Sequence, residues 1–556
     1  MTATDPATAA DPAATAADPT TTADPSTAAS RPLASRERLE RLAPTLVAAA
    51  FAAAYVLVSP PSLDLAAHLF RAQLFRVEGF GIWNNWWYSG HHIVGYSVLF
   101  PAISATLTPQ LAGGIATTGT AALFALLARR HFGRRAWLGA VVFGAATAAN
   151  LYTGRLAFAF GALPAVGSML ALDRRRPTLA CALAVLAALS SPVAALFAAL
   201  TAAGYALGAL VSERRLQPAL AGASVAVAAV VPVGLLAIAF PEGGSEPFAF
   251  STLWPILLLA ALGLATLPGE AVTLRAAVGL YTIVTIAVYV VPSPIGGNIA
   301  RLGTLLAAPL AALLWWRRRT ALLLIVALPL LYLEWAAPVR DLAGATGDQS
   351  TSTSYYRPLV QFLGRQTGPP FRTEIPFTRF HWEAYVVATH FPLARGWERQ
   401  LDIKDNAIFY GGRLTASGYE RWLHRNAVRF VAASDAQLDY SAQAEMALIR
   451  RGLPYLHQVM RSRHWRVYAV SHATPIVDGP ATLEAMGPDW LRLRAWTAGS
   501  VLVHVRFTPY WALGEGRGCV APAGQYTRLT LRSAGPVRLV ARFSLGRIGA
   551  RTPRCN

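Results

Sequence analysis

Between residues 43 and 336 the chain is a succession of apolar runs, most of them sixteen residues or longer, separated by short polar intervals rich in arginine. Runs of that length approach what an α-helix needs to cross a bilayer. Their spacing predicts helices over 43–58, 108–128, 136–151, 156–172, 178–192, 193–211, 217–240, 252–267, 276–291, 303–316 and 320–336. The stretch 93–107 is apolar too, but a further crossing there would carry an arginine cluster to the wrong side, so it is assigned to a re-entrant or interfacial segment. After Trp335 the pattern changes to ordinary soluble polarity for about 220 residues. There 371–376, 429–433 and 465–470 read as short strands and 441–452 has helical spacing, which predicts an α/β domain over 337–475. Over 476–556 strands recur between Pro and Gly turns, at 501–508, 526–532 and 537–543, which predicts a β-sandwich-like domain.

Composition narrows the class. Of the 556 residues 54% are hydrophobic and 14% charged, with mean hydropathy +0.39, which argues against an ordinary soluble protein. The net charge of +20 does not point to nucleic acid, because the arginines gather between apolar runs: Arg129, Arg130, Arg134 and Arg135; Arg174, Arg175 and Arg176; Arg214 and Arg215; Arg317, Arg318 and Arg319. Such clusters mark cytoplasmic loops. Residues 1–34 repeat Asp-Pro in an Ala/Thr background without an aromatic residue and are expected to be a disordered cytoplasmic tail. Arg31, Arg36, Arg38 and Arg41 then lead directly into the first long apolar run, unlike a secretory signal. Eleven crossings from a cytoplasmic start put the C-terminal region outside. Lys404 is the sole lysine in an Ala- and Arg-rich chain, a composition associated with GC-rich bacterial genomes, so the expected location is a bacterial plasma membrane. Three cysteines exclude a disulfide-dense scaffold and any CxxC metal site; Cys519 and Cys555 lie on the outer side, either paired or as two thiols.

The first outer loop, 59–107, is richest in chemistry. Asp64 and His68 are four apart, so a helix starting near Ser62, which suits an N-cap, would put them on one face. There they could jointly hold a divalent metal or relay a proton; otherwise Asp64 complements the helix dipole and His68 anchors at the interface. Trp83, Trp86, Trp87 and Tyr88 form either a headgroup-level belt or, with Asn84, Asn85, His91 and His92, a surface that stacks on a sugar or flanks a lipid headgroup. Arginines on the outer side run against the positive-inside bias. Arg71, Arg76, Arg155 and Arg301 are those exceptions, suited to binding phosphate or to snorkelling. Glu242 and Glu246 are either second carboxylates or solvated loop residues. No Walker A pattern, no GxGxxG after a strand and no HExxH occurs, so any donor should already be in the membrane.

Taken with this layout, Asp64, His68, Trp86-Trp87-Tyr88-Ser89-Gly90, Gly95-Tyr96-Ser97-Val98-Leu99-Phe100-Pro101, Gly154-Arg155-Leu156-Ala157-Phe158, Asn298-Ile299-Ala300-Arg301-Leu302 and Phe507-Thr508-Pro509-Tyr510-Trp511 carry a likeness. The chain resembles the GT-C superfamily of integral membrane glycosyltransferases, and within it the bacterial, actinobacterial-like group related to YfhO-type and PTPS-related membrane proteins. The resemblance implies a polytopic α-helical membrane fold and inverting transfer of a sugar from a polyprenyl-phosphate donor to an extracytoplasmic envelope glycan, lipid or protein. It implies Asp64 as general base or metal ligand, with His68 in a softer role, and a divalent Mg or Mn as the cofactor if there is one. Arg301, then Arg155, would bind the donor phosphate, and Trp86, Trp87, Tyr88, His91 and His92 the substrate. The first loop departs from the family in having no adjacent acidic pair, which puts metal dependence in doubt. Two other classes stay open: a multi-span transporter or lipid flippase, against which stand the absence of an internal repeat and the gathering of candidate charges at one face, and a non-catalytic envelope-assembly scaffold.

Overall fold

The computed structural model describes residues 26–213 and 215–556, with side chains described from residue 37 onward except at 212 and 213. The tail expected over residues 1–25 therefore lies outside the described residues, as does Arg214. Over 26–34 the expectation gives way to helix, the first helix being continuous from Ser26.

Thirteen helices precede the soluble region among the described residues. They are α1 (Ser26–Val58), α2 (Leu65–Glu78), α3 (Phe100–Leu107), α4 (Pro109–Phe132), α5 (Ala136–Tyr152), α6 (Leu156–Asp173), α7 (Pro177–Ser190), α8 (Pro192–Gly208), α9 (Leu216–Ala239), α10 (Phe250–Thr266), α11 (Val272–Val290), α12 (Ala300–Trp315) and α13 (Thr320–Ala345). Eight segments are long and apolar enough to cross a membrane, one of them being α4 and α5 taken together through the turn at 133–135; α7 and α10 are shorter apolar helices. The chain is thus helix-rich, with apolar helices of membrane-spanning length as a membrane protein has, and a β-rich C-terminal region. Between 93 and 107 the only helix is α3, eight residues long.

Small residues bring these helices together. Association in an apolar medium gains little from hydrophobicity, so contact depends on backbones approaching closely. Alanines at 165, 171, 180, 184, 187, 188, 195, 198, 199, 202 and 229 form one buried cluster across α6 to α9. A Cβ on Gly161 would stand 2.8 Å from that of Ser191, and one on Gly204 2.7 Å from that of Ala277. Large apolar side chains turn the other way, with Leu324 and Leu328 on α13 69% and 76% exposed.

The basic clusters occupy alternate turns, and Asp173 pairs with both Arg130 and His131, joining two of them at one end. The intervening turns carry Arg155, Glu246 and Arg301. Helix α13 leads from that opposite end into the soluble region.

The α/β region has a four-stranded sheet in the order Arg372–Glu374, Val428–Ser434, Trp465–Val470, Leu456–Arg461, parallel at the first pair and antiparallel beyond it. The helices Thr353–Gly364, Ala416–Arg425 and Gln443–Arg451 belong to the same region. The last is the one expected at 441–452; the edge strand Leu456–Arg461 was not legible, because most of its side chains are exposed. From Val477 onward, five- and four-stranded antiparallel sheets follow, with Leu491, Leu493, Val501, Val503, Leu529, Val537 and Leu539 turned inward. Cys519 and Cys555 are joined by a disulfide (Cα–Cα 4.0 Å) across paired strands, which resolves the alternative left open above.

The first loop ties the regions together, and residues 43–556 form one compact unit. Its strands Trp83–Asn84 and His91–His92 make a short antiparallel pair. Ile82, Trp83 and Val94 join the core of the sandwich, while Ala67, Phe70, Trp87 and Tyr88 join that of the α/β region.

Candidate functional site

Helix α2 begins at Leu65 and Asp64 holds the N-cap position. The cap expected at Ser62 is corrected accordingly: Ser62 supplies only its carbonyl, to Leu65 N at 3.3 Å, and its hydroxyl is buried against Gly154 without a partner. Gly154 has φ +73° and lets the α5–α6 turn close directly on the turn that carries Asp64. Next along that turn is Arg155.

Asp64 and Arg155 are within electrostatic reach of each other and of three more charged groups: Arg301 in the first turn of α12, Asp341 near the end of α13, and Glu246 between α9 and α10. Burial and the nearby Arg301 lower the Arg155 guanidinium to about 10. Burial lifts the Glu246 carboxyl to about 6, against the opposing pull of Arg301. Arg301 lies over the Phe158 ring (5.7 Å) and its Nε is buried without a hydrogen bond. Tyr96 is raised to about 12 by burial and by Asp64. Neither a cavity of about 30 Å³ lined by Arg71, Leu74, Phe75 and Trp83 nor one of about 290 Å³ lined by Asp348, Tyr355, Asp435 and His464 includes these five charged groups.

The soluble region completes the constellation. Trp397 Nε1 donates to Asp64 Oδ1 at 3.2 Å across 333 residues of sequence. The indole is fixed by His381, stacked on it with ring centroids 3.4 Å apart, and by the Arg399 guanidinium 4.8 Å from its centroid. Arg399 makes a two-point contact with Asp439, at 3.1 and 2.7 Å. Burial holds the His381 imidazole down to about 4 although Asp439 pulls upward. Sequence reasoning missed Trp397, Arg399 and Asp341. The run Gly396-Trp397-Glu398-Arg399, an indole between small and oppositely charged residues, was the only local signal for the first two.

His68 sits elsewhere in character. It is 1% exposed, packed edge-on against Phe100 (5.2 Å) and beside Tyr96 (5.7 Å), and has a backbone hydrogen bond with Gly154. Burial, helped by Arg71, lowers it to about 3, so the ring is neutral at ordinary pH. Among the described residues no group of three or more His, Cys, Asp or Glu side chains is close enough to hold a metal ion. Asp64 and His68 with these surroundings do not fit a Mg or Mn site.

The aromatic segment is interior. Trp83, Trp87, Tyr88, His91 and His92 are all buried, and Trp86 is partly buried against the α/β core. Trp87 stacks on Phe70 (4.3 Å) and donates to Ala384 O (3.1 Å). Tyr88 donates to Gly396 O and accepts from Glu398 N (2.5 and 2.7 Å). His92 contacts Thr508 Oγ1 (3.0 Å) and Glu242 (2.7 Å), and His91 approaches Glu398 (3.8 Å). These groups hold the loop to the soluble region and, through His92 and Glu242, to the turn after α9, so the structure places them between protein segments and not in an exposed belt. An amphipathic ring suits either kind of boundary. Two of the arginines expected on the outer side are likewise engaged: Arg71 pairs with Glu398 and lies over Tyr96 (3.9 Å), and Arg76 binds Gln73 (2.6 Å) and the Ala105 carbonyl, linking α2 to α3. Glu242 is tied to His92, leaving Glu246 as the loop carboxylate beside Arg301.

No protein-family model and no curated protein matches this chain.

Proposed function

We propose that this protein is an integral membrane glycosyltransferase of GT-C type that moves a sugar from a polyprenyl-phosphate donor to an extracytoplasmic envelope acceptor. The observation that carries the reading is the convergence of Asp64, Arg155 and Arg301, from three separate turns, at the bundle end that meets the soluble region. In this reading eleven helices cross a bacterial plasma membrane, the N-terminus is cytoplasmic and the constellation opens outward.

The chemistry follows from the charges. The acceptor hydroxyl oxygen bonds to the anomeric carbon, the carbon–oxygen bond to the lipid phosphate breaks, and the phosphate leaves with the electron pair. Arg301 and Arg155 stabilise the negative charge that grows there. Asp64 takes the acceptor's proton. Trp397 occupies one carboxylate oxygen, Oδ1, and so presents the other. Glu246 tempers the two guanidiniums, so the leaving lipid phosphate is released after transfer.

The test is transfer of radiolabelled sugar from a polyprenyl-phosphate donor in membranes containing the protein. Asp64→Asn should cut transfer by about 100-fold or more at unchanged expression, the usual worth of a general base. Arg301→Ala should weaken donor binding more than acceptor binding. Undiminished transfer by Asp64→Asn removes the proposed base, and equal weakening of donor and acceptor removes the phosphate role.

A further inference from the structure

The segment 542–555 leaves the four-stranded sheet and lies beside the end of α9. Tyr510 donates its hydroxyl to the carbonyl of Ala239, the last residue of α9 (2.5 Å). The rings of Phe240, Tyr510 and Phe543 pack on one another with centroids 5.2 to 5.5 Å apart. Helix α9 is among those long and apolar enough to cross a membrane, and Leu235 and Ile238 near its end are 61% and 64% exposed. Beyond it Phe543 is 46% and Leu545 75% exposed, two neighbouring apolar side chains on a domain where Trp496 is the one other large apolar side chain so exposed among the described residues.

Cations crowd the same place. Arg554 donates to the Tyr510 carbonyl (3.3 Å), and Arg547 to the carbonyls of Pro509 (3.3 Å) and Thr552 (2.7 Å). Burial and the neighbouring Arg547 and Arg542 all lower the Arg554 guanidinium. Among the described residues none of the three arginines has a carboxylate partner. The strand Arg554–Cys555 is held by its pairing with Val520 and by the disulfide, so these groups cannot simply swing apart. Guanidiniums held together without an acid, next to large apolar side chains left uncovered, are matched by one kind of surface: anionic headgroups above acyl chains. A soluble anionic polymer would answer the charge and leave Phe543 and Leu545 uncovered.

We propose that 542–555 is a lipid-headgroup site, with Phe543 and Leu545 entering the bilayer interface and Arg542, Arg547 and Arg554 binding the phosphates of anionic phospholipid. It rests on α9 crossing the membrane, which the proposed function also requires, and is independent of sugar transfer. The site fixes the sandwich against the lipid and so holds the soluble region over the bundle end that carries Asp64.

Two measurements on the full chain test it. In nanodiscs of phosphatidylcholine and phosphatidylglycerol, a bimane label on Leu545→Cys in a Cys181→Ser background should be quenched by headgroup-spin-labelled lipid; an unquenched label overturns the proposal. In native mass spectrometry from detergent, Arg542→Gln with Arg547→Gln should weaken phosphatidylglycerol retention about 25-fold, at about fivefold per arginine. The pair Arg492→Gln and Arg494→Gln, on the exposed face of the strand Trp490–Ala495, should leave it unchanged. Equal loss from both pairs would mean that net charge alone acts, and overturns the site. Neither readout uses a sugar donor, so a failed transferase reading and a failed lipid site give different results.

Discussion

Gly154→Ala is the sharpest perturbation available, because two separable costs meet at one atom. The residue has φ +73°, and the added Cβ would lie 2.4 Å from Ser62 Oγ, 3.0 Å from Leu65 N and 3.3 Å from the Asp64 carbonyl carbon. A left-handed backbone costs alanine about 1 to 2 kcal/mol. Forcing a methyl group into a packed contact adds about 1 to 3 kcal/mol, giving a total of about 2 to 5 kcal/mol. The second component is addressable: Ser62→Ala removes the nearest atom and leaves the two backbone contacts in place. The assay is the thermal midpoint of the detergent-solubilised protein followed by tryptophan fluorescence, on wild type, both single variants and the double variant. Gly154→Ala should lower the midpoint by at least about 2 °C, and the double variant should recover part of the loss relative to Ser62→Ala. The displaced turn carries Asp64, so transfer should remain impaired in the double variant even where stability returns. A Gly154→Ala protein indistinguishable from wild type in midpoint and transfer would refute the claim that this turn is built on close approach.

Trp397→Phe keeps the ring on His381 and deletes the N–H to Asp64; a hydrogen bond to a charged group is worth about 1.5 to 3 kcal/mol, so kcat should fall roughly 10- to 150-fold with donor KM and midpoint nearly unchanged, and an unchanged kcat would dismiss the contact. Glu246 is raised to about 6: its protonated form is favoured in the folded protein, so its contribution to stability is complete below about 4.5 and fades as pH rises through 6. Below that pH Glu246 no longer opposes Arg301 and Arg155, leaving Asp64 and Asp341 as their acidic neighbours, so binding of a polyprenyl-phosphate sugar, a diester whose charge is constant here, should strengthen from pH 7 to pH 5; Glu246→Gln should weaken that dependence, and an identical slope in the variant would exclude Glu246 as a source. Arg395 is buried with two bonds to Asp402 (3.0 and 2.6 Å) and one to Glu445 (3.3 Å). Arg395→Met strands those carboxylates at a cost of about 3 to 5 kcal/mol, which limited proteolysis should report as faster cleavage within 372–470; wild-type resistance would contradict it.

What could be read in the residues and what could not divides along physical lines. Lipid imposes length and excludes charge, so the apolar helices announce themselves one by one, and an arginine on the unexpected side, such as Arg155 or Arg301, stands out without knowledge of its neighbours. The partners that complete the site do not. Trp397 reaches Asp64 only through tertiary packing, and Asp341 looks like any acid beyond an apolar run. The tryptophans and the tyrosine at 83–88 suit a boundary between apolar and polar surroundings, yet nothing local says whether that boundary is lipid or another domain. Ser62 and Asp64 are both good helix caps, and only the chain's entry geometry chooses between them. The strand Leu456–Arg461 was missed because an exposed edge needs no alternation of apolar residues.

The wedged first loop has a consequence for how the chain is made. It is synthesised early, but Trp397, which secures Asp64, follows 333 residues later. At roughly 5 to 20 residues per second that is a wait of about 20 to 70 seconds. During it the indole of Trp87 lacks the Ala384 carbonyl and that of Trp83 lacks the Trp511 ring, and a chain stopped before the last strands would leave Trp83 without Trp511 permanently. Biogenesis of this protein therefore demands a holding environment for an early, sticky segment, and truncation products should be degradation targets rather than stable fragments.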